Sequence, residues 1–200
     1  MAEIFVQSIE GLRMDAVWDL LSESRKRKIA RLKNEQQRLL SAAAELALNR
    51  AVSSQFPNVS APIQYAYMPN GKPYLSESEG YISLSHSGKW AVCAYSDREV
   101  GVDLQEIRPV NWALAERFFT EEEVRAIRDS ENPDRAFCEV WVKKEARVKL
   151  TGEGIGGGFE KIQADLPGQY RYTLHDIGEE NYVLCTCERM TESAAERRLL

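Results

Sequence analysis

The sequence matches itself at an offset of 98 residues. Ile4 falls on Val102, Ile9 on Ile107, Ser22 on Thr120, Asn34 on Asn132, Leu39 on Phe137 and Ala43 on Trp141. Each half therefore reads as a strand, a helix opened by a hydroxyl cap, an Asn-marked break and an amphipathic helix. The late apolar runs WAVCAY (90–95) and YVLCTC (182–187) correspond more loosely. This pattern predicts an α+β fold of two similar α/β lobes, 1–98 and 99–200, each a small sheet packed with helices. A pseudo-twofold axis would relate them, and clefts between such lobes favour ligands. Identity between the halves is low, so chance agreement of two ordinary α+β segments is the competing reading.

Local signals fill in the frame. Ile4 to Ile9 reads as a strand, Ser22 as the cap of a basic helix, and Asn34 as the cap of a helix through Leu39, Ala43, Leu46 and Ala47. The stretch 57–73 reads as loops with a turn at Asn70-Gly71. Tyr81–Ser85, Trp90–Tyr95 and Val100–Ile107 read as strands, and Asp134 is the expected cap of a helix over 134–150.

Composition narrows the class. The chain has 200 residues, 44% of them hydrophobic and 28% charged, with a net charge of −5. That balance excludes a disordered, collagen-like or fibrous chain and allows a real core. No apolar run reaches the roughly 20 residues needed to span a bilayer, and MAEIFVQSIE has no basic-then-apolar leader pattern. A cytoplasmic protein without membrane partners is expected. An isoelectric point near 5.3 argues against general nucleic-acid binding. Cys93, Cys138, Cys185 and Cys187 form neither a disulfide framework nor a C-x-x-C zinc pattern.

Several segments carry residues suited to chemistry. In VGVDLQEI (100–107), alternation turns Val100, Val102 and Leu104 to the core, and Gly101, Asp103 and Gln105 to the other face. That face offers a carboxylate and an amide beside a glycine that leaves room for a ligand; taken alone, a half-exposed strand with a polar outer face is the better reading. In DRAFCEVWVKKEARVKL (134–150), Phe137, Cys138, Trp141 and Val148 form an apolar stripe that Glu145 interrupts. Glu145 and Lys149 could be an ordinary helix pair. A carboxylate on a buried stripe nevertheless needs a partner, and Asp103 with Glu145 could hold Mg²⁺. Thr120 and Glu123 fit a capping box, which accounts for Glu123 without a site role.

The run SLSHSGKW (83–90) places Ser85 and His86 on opposite faces of a strand, so they are no nucleophile–base pair; hydroxyls, imidazole and Lys89 suit phosphate better. Arg25, Lys26, Arg27, Lys28, Arg31 and Lys33 make a basic run that is a solvated helix face or a polyanion site. TGEGIGGG (151–158) follows a helix, so it lacks the dinucleotide-binding context; a mobile closing loop is expected instead. No P-loop occurs.

In this order and spacing, GKPYL (71–75), SLSHSG (83–88), GVDLQEI (101–107), FFTEEE (118–123) and WVKKEA (141–146) resemble the 4′-phosphopantetheinyl transferases. The likeness is to the two-lobed surfactin-synthetase-activating type, in the subgroup marked W-x-x-K-E-A. The resemblance implies transfer of the phosphopantetheine arm of coenzyme A to a serine of an apo acyl or peptidyl carrier protein, releasing adenosine 3′,5′-bisphosphate. It further implies Mg²⁺ held by Asp103 and Glu145. Gln105 stands where the family has a second acid on the strand, and its amide oxygen can ligate without bringing charge.

By position, Lys72 and Pro73 resemble the adenine-side contacts, and Ser85 and His86 the groups on the nucleotide phosphates. Arg25, Lys28 and Arg38 resemble the basic groups around the 3′-phosphate. Lys149 is similar to the lysine that reaches the pyrophosphate, and Glu145 to the residue that removes the serine proton. A chain with both lobes completes its own site, so a monomer is expected. The alternatives are a Mg²⁺-dependent nucleotide pyrophosphate hydrolase, and a non-catalytic coenzyme A or carrier-protein binding module.

Overall fold

The computed structural model describes residues 1–153, Phe159, Ile162 and 169–190. The chain divides into two compact units, Met1–Asp97 and Arg98–Leu200. The glycine-rich run reaches beyond the described residues after Glu153, and the closing loop expected there lies outside them.

The first unit runs β1 (Glu3–Ser8), α1 (Met14–Val17), a short 3-10 turn, α2 (Glu23–Ala30), α3 (Glu35–Gln55), β2 (Tyr65–Tyr67), β3 (Pro73–Leu75), β4 (Tyr81–Ser87) and β5 (Trp90–Ser96). Its main sheet has the order β1-β5-β4, antiparallel throughout. The long helix α3 packs on β5 and β1. Ala42, Ala43, Ala47 and Ala51 are all fully buried on it; with side chains this short, the helix axis can lie close to the sheet. Asn34 caps α3 by accepting the Gln37 N–H at 3.1 Å, as the sequence predicts. The stretch expected to be loops also holds a small hairpin, β2 with β3. Three-residue strands fall below what alternation can signal.

The second unit runs β6 (Val100–Glu106), α4 (Trp112–Phe118), α5 (Glu121–Arg128), α6 (Pro133–Thr151), β7 (Tyr170–His175) and β8 (Tyr182–Arg189). Its sheet has the order β6-β8-β7, again antiparallel, and α6 packs on β6 and β8. The cap of α6 differs from the expected one. Asn132, not Asp134, accepts the Arg135 N–H at 3.0 Å, with Pro133 opening the helix. Asp134 instead accepts the Val110 N–H at 3.0 Å.

The 98-residue offset is thus visible in the elements themselves. α2 and α5 are both eight residues long, capped by Ser22 and Thr120, and α3 and α6 are capped by Asn34 and Asn132. In each sheet the first strand pairs with the last, and the last with the one before it. Phe5 pairs with Cys93 as Asp103 pairs with Cys185. The four cysteines are free and buried.

Candidate active site

In the second unit the polar cluster is built by β6 and α6. Alternation along β6 turns Gly101, Asp103 and Gln105 toward α6 while Val100, Val102 and Leu104 are completely buried on the other side. The polar face is therefore not an outer one: Asp103 is only 2% exposed. Nor does Gly101 leave room for a ligand. A Cβ there would lie 2.5 Å from the Leu150 nitrogen and closer still to the Ala146 carbonyl oxygen. Its role is to let the α6 backbone meet β6.

That close approach brings Lys149 and Glu145 of α6 to Asp103 on β6. Lys149 Nζ donates to Asp103 Oδ1 at 2.6 Å, and Gln105 Nε2 donates to Asp103 Oδ2 at 3.0 Å. Glu145, one turn before Lys149 on α6, is buried. Its carboxyl is pushed up to about 7, first by burial and then by the Asp103 charge, with Lys149 opposing both. Lys149 thus reaches across to the strand, which the reading of a simple helix pair with Glu145 did not anticipate. Glu106 faces the other way and pairs with Arg108 at 2.9 Å.

These donors fit a small divalent cation. Asp103 and Glu145 are both buried acids, and the Asp103 charge adds to burial in raising the Glu145 carboxyl. Hard oxygen donors are what Mg²⁺ takes. Among the described residues no group of three or more His, Cys, Asp and Glu gathers at one point; the third oxygen donor beside the two acids is the Gln105 amide. Asp103 and Gln105 would meet the ion by releasing the hydrogen bonds they now make.

Glu123 closes a capping box, with its Oε2 accepting the Thr120 N–H at 2.9 Å. It also pairs at 2.8 Å with Lys144. Lys144 is fully buried, donates to the Phe118 carbonyl at 2.9 Å and lies over the Phe119 ring. In the sequence this lysine has no assigned role beyond its place as the K of W-x-x-K-E-A. Its signal was available: in WVKKEA it precedes Glu145 by one, on the side of α6 toward α5.

The remaining candidates lie in the first unit. Arg25, in the first turn of α2, is 3% exposed, and its Nε donates to Glu45 Oε2 at 2.8 Å. Its charge is buried in the fold and not displayed on the basic face. Lys28 is one turn further on at the surface, with its ammonium held below the ordinary value by desolvation and by Arg25. Arg38 is exposed and donates to the Leu32 carbonyl at 2.7 Å, tying down the α2–α3 junction. Lys72 and Pro73 sit at the tip and start of β3; the Asn70 side chain accepts the Lys72 N–H at 3.1 Å, and Gly71 takes a φ of 84°. On β4, Ser85 is buried and His86 exposed, as their alternation requires. Lys89 pairs with Glu10 at 3.3 Å.

Residues 99–195 match the 4′-phosphopantetheinyl transferase superfamily. The chain is 40% identical over 108 residues to the 4′-phosphopantetheinyl transferase psf-1 of Bacillus pumilus, covering 52% of this chain and 46% of that protein. The match thus spans about half the length of that relative. It is 23% identical over 168 residues to the 4′-phosphopantetheinyl transferase Sfp of Bacillus subtilis, covering 82% and 75% of the two chains. To the 4′-phosphopantetheinyl transferase AcpT of Salmonella typhi it is 32% identical over 152 residues, covering 72% and 74%. With a relative of that identity matched over most of both lengths, and with an acid pair on β6 and α6 inside the matched region, this chain belongs to the 4′-phosphopantetheinyl transferase superfamily.

Proposed function

We propose that this protein transfers the 4′-phosphopantetheine group of coenzyme A to a serine of an apo acyl or peptidyl carrier protein, in a Mg²⁺-dependent reaction that releases adenosine 3′,5′-bisphosphate. One observation carries the reading. At the offset of 98, Asp103, Glu145 and Lys149 correspond to Phe5, Ala47 and Ala51, which are apolar members of the first unit's core. The fold itself does not need charge at these places, so the charge in the second unit answers to something else.

The residue roles follow from their chemistry. Mg²⁺, when bound by Asp103, Glu145 and the Gln105 amide, supplies positive charge to the pyrophosphate oxygens. Glu145 takes the proton of the carrier serine, whose oxygen forms the new bond to the phosphorus next to pantetheine. The bond from that phosphorus to the bridging oxygen breaks, and Lys149 stabilises the departing phosphate. Lys28 and Arg38 serve the 3′-phosphate, with Arg25, buried on Glu45, supporting the helix that carries Lys28; Lys72 and Pro73 serve the adenine side; Ser85 and His86 serve the nucleotide phosphates. Such a protein acts in the cytoplasm as a monomer.

Intact-mass measurement tests the whole reading. An apo carrier protein incubated with this protein, coenzyme A and Mg²⁺ gains one phosphopantetheine, and EDTA abolishes the gain. Coenzyme A consumed without a carrier would make the protein a hydrolase instead. Coenzyme A bound but left intact with carriers of several types would make it a binding module.

A further inference from the structure

Arg25 breaks two local rules at once. It is a cation in the first turn of a helix, where the dipole favours anions, and it is almost completely buried. The repeat shows what it displaces. In the second unit the same position is Glu123, which closes the capping box on its own helix. An arginine cannot accept a hydrogen bond, so α2 cannot close its cap this way. The missing acceptor comes from α3: the Ser22 N–H donates to Glu45 Oε1, while Ser22 Oγ still accepts the Arg25 N–H at 3.2 Å.

Glu45 is completely buried and collects two further donors. Arg25 Nε reaches its Oε2 at 2.8 Å, and the Tyr65 hydroxyl donates to the same oxygen at 2.7 Å. Arg25 Nε also donates to Tyr65 Oη at 3.1 Å, and Nη1 to Ser41 Oγ at 3.3 Å. A local cap has become a tertiary knot that joins α2, α3 and β2. Tyr65 carries it into the hairpin, because Tyr67 lies edge-on to the Tyr65 ring at 5.6 Å and pairs across the hairpin with Pro73.

We propose that Glu45 and Tyr65 are positioning residues for coenzyme A: through Arg25 they fix the basic helix α2 against the hairpin that carries Lys72 and Pro73. The inference rests on the reading of the function given above. Buried ion pairs are poor devices for stability alone and good ones for holding a register. Here the two elements being registered carry Lys28 on one side and Lys72 and Pro73 on the other, three of the proposed nucleotide contacts.

The test is calorimetric titration of coenzyme A into the wild type and Tyr65→Phe, with steady-state transfer on an apo carrier alongside. Tyr65→Phe keeps the ring and removes one hydroxyl. Kd and KM for coenzyme A rise roughly five- to tenfold, the size of one hydrogen bond, while kcat stays within about twofold. Glu45→Gln raises both further if it folds; if it does not, Tyr65→Phe decides alone. Unchanged Kd and KM in Tyr65→Phe, or a fall in kcat that tracks lost folded protein at constant KM, overturns the inference. A wild type that binds no coenzyme A overturns the function itself, and one that binds without transferring leaves Kd as the readout.

Discussion

Adding a single methyl group at Gly101 should dismantle the site without touching any of its side chains. The Cβ of Gly101→Ala lies 2.5 Å from the Leu150 nitrogen and nearer to the Ala146 carbonyl oxygen. Both are helix backbone, so no rotamer change can make room. Restoring a separation of roughly 3.5 Å, where heavy atoms attract instead of repel, requires α6 to retreat from β6 by at least about 1 Å. The bond from Lys149 to Asp103, now 2.6 Å, then lengthens beyond hydrogen-bond range, and Glu145 leaves Asp103 with it. Overpacking of this kind costs about 3 kcal/mol, the upper end of its usual range. For a chain of this size that is about 6–12 °C in melting temperature. Gly178→Ala is the control, since Gly178 has a φ of 75° with open space around it. Its cost is backbone strain alone, about 1–2 kcal/mol. Urea unfolding and the intact-mass transfer assay read both variants: Gly101→Ala loses stability and transfer together, Gly178→Ala only stability. Retention of wild-type transfer by folded Gly101→Ala would refute the claim that this contact sets the site.

Further outcomes are expected at the acid cluster, at Lys144 and at His175. Glu145→Gln slows transfer by roughly a hundredfold or more, as expected for loss of a proton acceptor. Gln105→Ala slows it much less, and Mg²⁺ titration of Gln105→Glu shows tighter binding because a charge joins the donors. Lys144→Met keeps the side-chain volume but removes the ammonium that pairs with Glu123 and donates to the Phe118 carbonyl; it costs about 3 kcal/mol, seen as a lower urea midpoint. His175 hydrogen-bonds Thr186 at 2.8 Å, and burial holds its pKa below the ordinary value despite the opposing Glu188 charge. The unfolded chain therefore binds the extra proton more readily, so the contribution of His175 to stability is full above about pH 6.5 and is lost as pH drops below it. His175→Gln flattens that slope in urea midpoints measured between pH 7.5 and 5.

The features legible in the sequence were those with a local cause. Ser22, Thr120 and Asn34 announce helix starts because their side chains cap neighbouring N–H groups, and all three do so. Glu145 drew notice because a carboxylate on an apolar stripe needs an explanation. What stayed hidden depends on contacts distant in sequence. The role of Gly101 is set by Ala146 and Leu150, and the partner of Arg25 is Glu45 on another helix. Asp134 misled because an acid near a helix start looks like a cap; Asn132 and Pro133 together are the stronger signal, and Asp134 was then available to hold the loop at Val110. The hairpin β2–β3 was missed for its shortness.

The repeat provides an internal comparison that a single domain lacks. Both units use the same tactic to fasten their eight-residue helix to the long one: a buried ion pair, Arg25 with Glu45 and Glu123 with Lys144. The polarity is reversed, with the cation on the short helix in the first unit and on the long helix in the second. The long helices are reversed in a second respect. Over the first strand, α3 lays the alanines 47 and 51 against Phe5, whereas α6 lays Glu145 and Lys149 against Asp103. A common fold with alternative fillings at equivalent positions separates what the architecture requires from what is placed upon it. Close helix–strand packing is required in both, and alanines satisfy it at lower desolvation cost than ionised side chains do. The acids of the second unit therefore sit where stability alone would select against them, in a place already shaped to hold side chains rigidly. Rigid support beneath a costly polar cluster is the combination expected of a site that must keep its geometry while charge changes around it.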